Sequence, residues 1–218
     1  MIRLEVFQDA DALAARAAAV IGAAAEEAVA DRGTFHWAAS GGATPVPTFR
    51  RLALPWSGTG TFQVDERVAP EGDDDRNLTH LRRALSADGV ATVRPMPVEA
   101  DDLESAAAAY ERSLPGRFDL VHLGIGDDGH TASLLPDDPV LKVRDRDVAV
   151  TGTFRGRRRM TLTYPVLDRA RRVVWIVAGS TKADALAGLL AGDTSIPAGR
   201  VAAADQLVLA DADAAPPA

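Results

Sequence analysis

The sequence predicts an α/β protein: a mostly parallel sheet with helices on both faces and a small antiparallel insertion or edge. Two observations predict it. Apolar runs of strand length alternate with helical stretches along nearly the whole chain, which is the pattern of βαβ units whose crossovers cover a parallel sheet. Between about residues 137 and 165 the runs become shorter, and these read as the antiparallel piece. The 218 residues are enough for one sizeable core. Residues 1–218 therefore read as a single domain, with the tail from about 211 to 218 expected to fray.

The elements follow in order. IRLEVF (2–7) reads as a strand, and 10–32 as an amphipathic helix. FHWAAS (35–40) is the next strand, and a helix over 47–54 follows with Pro47 near its first turn. TFQVDE (61–66) and ATVRPM (91–96) read as strands on either side of a helix at 76–85. A solvated loop of Asp73, Asp74 and Asp75 caps that helix. A helix over 101–114 leads to the buried strand FDLVHLGIG (118–126), and TASLL (131–135) opens another helix. VAV (148–150) and RMTLTY (159–164) are short strands, followed by a helix over 165–170. VVWIVAG (173–179), a helix over 181–192 and QLVLAD (206–211) complete the alternation.

Composition narrows the function. A net charge of -7, without a basic stripe interleaved with aromatics, argues against a nucleic-acid partner. The chain has no Cys, so disulfides, thiolate metal sites and a cysteine nucleophile are excluded. No window approaches the roughly 18 apolar residues of a membrane span, and the first residues lack the features of a signal peptide. A cytoplasmic protein without a membrane partner is expected, as a monomer or small homo-oligomer. Lysine occurs only at Lys142 and Lys182.

Ligands of open α/β sheets bind beyond the carboxyl ends of the strands, and four such junctions carry chemistry. In SGGATP, Gly41 and Gly42 let backbone N–H groups approach a ligand, while Ser40 and Thr44 add hydroxyls. This makes a phosphate cradle or an ordinary βα turn. It lacks the lysine of a P-loop. In DER, Asp65 and Arg67 end a strand; the guanidinium can clamp a phosphate or an oxyanion, unless the cluster is simply solvated. GIGDDGHTAS contains G-x-G-x-x-G at Gly124, Gly126 and Gly129, but Asp127 and Asp128 would set like charge against a dinucleotide's diphosphate. The better reading is a loop that presents His130 for proton transfer, with Asp128 holding its ring. His36 and His122 alternate within strands as core or near-core residues, and His80 lies on a surface helix. In VAGSTKADAL, Lys182 falls in a first helical turn, where a cation is tolerated best beside a bound anion. An arginine of RGRRRMTLT, foremost Arg159 at the strand start, faces the same anion or a solvated turn.

Taken in order, SGGATP, DERVAP with the following Asn77, GIGDDGHTASLLP, RMTLTYPVL and VAGSTKADAL resemble the motifs of the 6-phosphogluconolactonases over about residues 34–190. The chain departs from that pattern at Ala43, at Arg76 and in FRGRR, which replaces a proline-rich approach to the RMTLT strand. The resemblance implies the α/β fold shared with glucosamine-6-phosphate deaminases, and hydrolysis of a phosphorylated sugar lactone. It implies His130 as general base, oriented by Asp128, with Arg67 at the oxyanion or anchoring the substrate. Ser40, Gly41, Gly42, Thr44, Asp65, Thr131, Ser133, Arg159 and Lys182 would bind the substrate. No metal or organic cofactor is implied. A deaminase, or a sugar-phosphate sensor without turnover, is the alternative; TASLLP after the histidine favours the lactonase over the deaminase.

Overall fold

The computed structural model describes residues 2–85 and 93–216. Ala91 and Thr92 of the expected strand ATVRPM, and residues 217–218 of the tail, lie outside them. Among the described residues the main sheet has seven parallel strands. Across the sheet they run β1 (Ile2–Phe7), β10 (Gln206–Asp211), β9 (Val173–Val177), β6 (Leu120–Leu123), β2 (Phe35–Ala39), β3 (Thr59–Gln63) and β5 (Val93–Arg94). The expected antiparallel piece is a second sheet of three strands, β4 (Asp65–Arg67), β8 (Arg159–Leu162) and β7 (Val148–Val150). Its third member was hidden in the sequence: TFQVDE is two strands, parted at Val64, where the chain leaves one sheet for the other.

Strand residues alternate between two cores because successive side chains point to opposite faces. In β9, Val173, Trp175 and Val177 enter one core and Val174 and Ile176 the other. The first core is covered by α4 (Leu103–Arg112), α5 (Tyr164–Asp168) and α6 (Ala183–Ala191), through residues such as Tyr110, Leu167 and Leu186. The second is covered by α1 (Ala10–Arg32), α2 (Val46–Phe49) and α3 (Asn77–Leu85), through Ile21, Phe49 and Leu81. No helix among the described residues is long and apolar enough to cross a membrane.

Helix ends follow local chemistry. Asp9 caps α1 by accepting from Ala12 N at 2.8 Å, and Gly33 closes it in the left-handed region at φ 76°. The helix expected over 47–54 stops after one turn at Phe49. No helix forms over 131–135. There the side chains compete for backbone groups: Thr131 Oγ1 donates to Gly124 O at 2.9 Å, and Ser133 N donates to Thr161 Oγ1 at 3.1 Å. The tail is held further than expected. Asp211 ends β10, Ala214 is fully buried, and Ala214 N donates to Asp211 Oδ1.

Candidate active site

The carboxyl ends of β2, β6 and β9 and the adjoining face of β4 and β8 enclose a cleft of about 200 Å³. Of the residues expected in the site, Ser40, Gly41, Gly42, Thr44, Asp65, Arg67, His130, Arg159 and Lys182 line it. Thr131 and Ser133 do not. Both are fully buried, and Ser133 Oγ donates to Asp65 Oδ2 at 2.6 Å. In this arrangement their hydroxyls brace the walls of the cleft.

The glycine loop is set by what packs behind it. Ser40 N donates to His122 Nδ1 at 3.2 Å and Ser40 Oγ to His122 O at 3.1 Å. His122 is buried at the floor of the cleft, and burial pulls its pKa down to about 3, so it stays neutral. A Cβ at Gly41 would lie 2.2 Å from Asn77 Oδ1, so the close approach of the loop to Asn77 requires glycine there.

Asn77 is the connection that the sequence left outside the site. Its Nδ2 donates to Asp65 Oδ1 at 2.8 Å, and its Oδ1 accepts from Arg67 Nη1 at 2.6 Å. Arg67 Nη1 also donates to Asp75 O at 3.0 Å, so one guanidinium nitrogen is held twice as the residue faces the cleft. The solvated reading of DER fails for Glu66, which is fully buried. Glu66 accepts from Gln63 Nε2, Arg67 N, Asn77 N and Leu78 N, and lies 3.0 Å from Arg76 Nε. The Asn that follows DERVAP was the available signal for this arrangement. Burial raises the pKa of Asp65, against the opposing influence of Arg67, the Ser133 hydroxyl and Arg159.

His130 stands on a tight loop in which Gly126 N donates to His130 O at 2.8 Å. A Cβ at Gly126 would meet His130 Nδ1 at 2.1 Å, which is why a glycine spaces this loop. His130 Nδ1 lies 2.5 Å from Asp128 Oδ1, which also accepts from His130 N at 3.1 Å. Burial pushes the Asp128 pKa up, but the hydrogen bonds and charge of His130 outweigh it and leave the pKa lowered. An ionised Asp128 accepts a hydrogen bond from Nδ1–H and so leaves Nε2 with its lone pair, the tautomer a general base needs.

Among the arginines of 155–159, Arg159 is the one that lines the cleft. It is 7% exposed, 3.5 Å from Ser133 Oγ, and desolvation lowers its pKa. Arg157 instead pairs with Asp73 and Asp75, and Arg158 approaches Glu104. Lys182 ends a 3-10 turn, Ser180–Lys182, and precedes α6 instead of lying within it. Its loop is pinned from β10, where both oxygens of Asp211 accept from Gly179 N at 3.0 Å. Nothing in the sequence around Asp211 marks that role.

With this geometry in view, comparison with known proteins is informative. Residues 8–209 match the sequence model of the family described as glucosamine-6-phosphate isomerases/6-phosphogluconolactonase. A 6-phosphogluconolactonase of Synechocystis is 42% identical over 76% of this chain and 75% of its own length. One from Mycobacterium tuberculosis is 38% identical over 97% of this chain and 96% of its own. Among solved structures, a 6-phosphogluconolactonase from Shewanella baltica superposes with a TM-score of 0.89 at 25% identity, covering 97% of this chain and 98% of that one. A monomeric glucosamine-6-phosphate deaminase shares the fold, with a TM-score of 0.80 at 22% identity over 97% of this chain and 98% of that one.

Proposed function

The chain belongs to the family of glucosamine-6-phosphate isomerases and 6-phosphogluconolactonases, and we propose that it hydrolyses 6-phospho-D-glucono-1,5-lactone to 6-phospho-D-gluconate in the oxidative pentose phosphate pathway, as a cytoplasmic enzyme. The observation that carries the mechanism is the His130–Asp128 pair, 2.5 Å apart, with His130 lining a cleft that the glycine loop and Lys182 also line. His130 Nε2 takes a proton from water as the water oxygen attacks the lactone carbonyl. Arg67, aimed by Asn77, stabilises the oxyanion of the tetrahedral intermediate. Collapse breaks the bond to the ring oxygen, which receives the proton from the imidazolium. The Ser40–Thr44 loop, Lys182 and Arg159 hold the phosphate. A δ-lactone is an activated ester, so neither a covalent nucleophile nor a metal or organic cofactor is required.

The test is the rate of lactone hydrolysis above the spontaneous rate, for wild type and His130→Ala. The variant is expected to lose at least about 10²-fold in kcat. Activity that survives the substitution would remove His130 as base. Wild-type protein that releases ammonia from glucosamine 6-phosphate but leaves the lactone untouched would replace the lactonase reading with the deaminase.

A further inference from the structure

The segment between β7 and β8 is a hairpin in which Phe154 N donates to Arg157 O at 2.9 Å and Arg157 N to Phe154 O at 3.2 Å. Its tip is formed by Arg155 at φ 51° and Gly156 at φ 80°, the paired left-handed turn that fits the twist of a hairpin. The base is fastened. Gly152 N donates to Asp138 Oδ2 at 2.9 Å, and Arg157 pairs with Asp73 and Asp75 at 3.2 and 2.9 Å. Asp75 also supplies the carbonyl that holds Arg67. The hairpin and the arginine facing the cleft are therefore tied to one loop.

This anchoring lays the Phe154 ring beside His130, with ring centroids 6.4 Å apart. The guanidinium carbons of Arg155 and Arg159 each lie 5.2 Å from the centre of the same ring. Arg155 is exposed and, among the described residues, has no carboxylate at ion-pair distance, unlike Arg157 and Arg158. After desolvation, the charges of Arg67 and Arg155 both disfavour the cationic form of Arg159, while Asp65 and Asp128 favour it. Three guanidinium groups thus converge around Arg159, two of them on the ring that lies beside His130. A cluster of like charge held in place by packing gains most when an anion enters it.

We propose that Arg155 is a further substrate-binding residue: seated on Phe154 at the hairpin tip, its guanidinium draws the anionic phosphosugar into the cleft beside Arg159. This assignment rests on the lactonase reading. Arg155 acts on capture; proton transfer stays with His130.

The test compares wild type, Arg155→Gln and Arg155→Lys in lactone hydrolysis at low and high salt, with calorimetric titration of 6-phosphogluconate. Arg155→Gln is expected to raise KM and weaken 6-phosphogluconate binding by about 5–20-fold at low salt, with kcat within about twofold of wild type. The gap narrows as salt screens the exposed charge, and Arg155→Lys recovers most of the loss. Unchanged KM and affinity in Arg155→Gln would overturn the assignment. So would an equal, salt-independent loss in both variants, because that is the mark of a packing role. Wild type without turnover would sink the lactonase reading and this assignment together, whereas normal wild-type turnover with an unaffected glutamine variant would sink the assignment alone.

Discussion

Asp128 shows how one side chain sets the state of another. Its pKa is lowered from the ordinary 3.8, so it remains ionised through the neutral and mildly acidic range. Its support of His130 is present above that value and is lost only as pH falls through the lower one. Asp128→Asn is expected to cut kcat by about 10²-fold with little change in KM. Steady-state kinetics of both proteins at neutral pH check this; an unchanged kcat would mean that the Asp128 carboxylate does not orient His130. At this scale the sequence was informative where a residue type has few uses. A histidine and an aspartate in a glycine loop after a buried strand, and a lysine just beyond another, were legible. The contacts of Asn77 and the role of Asp211 were not, because an amide or carboxylate beside a strand or helix end has many ordinary roles. Only the fold brings Asn77 between Asp65 and Arg67. Thr131 and Ser133 stand close to His130 in the sequence, yet their hydroxyls turn inward and hold the wall.

Elements were legible in proportion to their length and their caps. The bounds of α1 match the expected 10–32, because Asp9 and Gly33 mark its ends and a long apolar stripe lies between them. Short pieces were ambiguous: 47–54 keeps one turn of helix, and 131–135 gives its backbone groups to side chains. The caps make a clean prediction. Asp9→Ala removes the bond to Ala12 N and should cost about 1 kcal/mol, seen as a fall of about 2–4 °C in Tm. Lactone turnover at 25 °C should be unaffected; a loss of activity would mean that α1 acts on the cleft. Leu186→Ala, at a fully buried position of α6, should cost about 2–5 kcal/mol by chemical denaturation.

For the whole molecule, the α/β class with its antiparallel piece was readable from alternation, but strand order was not, since parallel neighbours need not be consecutive in the chain. Global stability carries the mark of one buried group. His122 has a folded pKa of about 3 against an ordinary 6.5, so the unfolded chain binds the extra proton between those values. The stabilisation from neutral burial is complete above 6.5 and is lost as pH falls, at about 1.4 kcal/mol per pH unit. Asp65, with its raised pKa, changes in the opposite sense. His122→Asn should therefore flatten the decline in unfolding free energy between about pH 6 and 4; an unchanged slope would place the acid sensitivity elsewhere. The sheet order has a different consequence, for synthesis. The last strand, β10, lies between the first strand and β9, and its Asp211 pins the loop that precedes Lys182. A nascent chain on the ribosome can assemble β2, β3 and β6 as they emerge, but β1 has no neighbour in the sheet until residues 206–211 are free. An arrested chain lacking those residues leaves the β9 edge open to other chains and the Lys182 loop unpinned, so the cleft is complete only once β10 has been made.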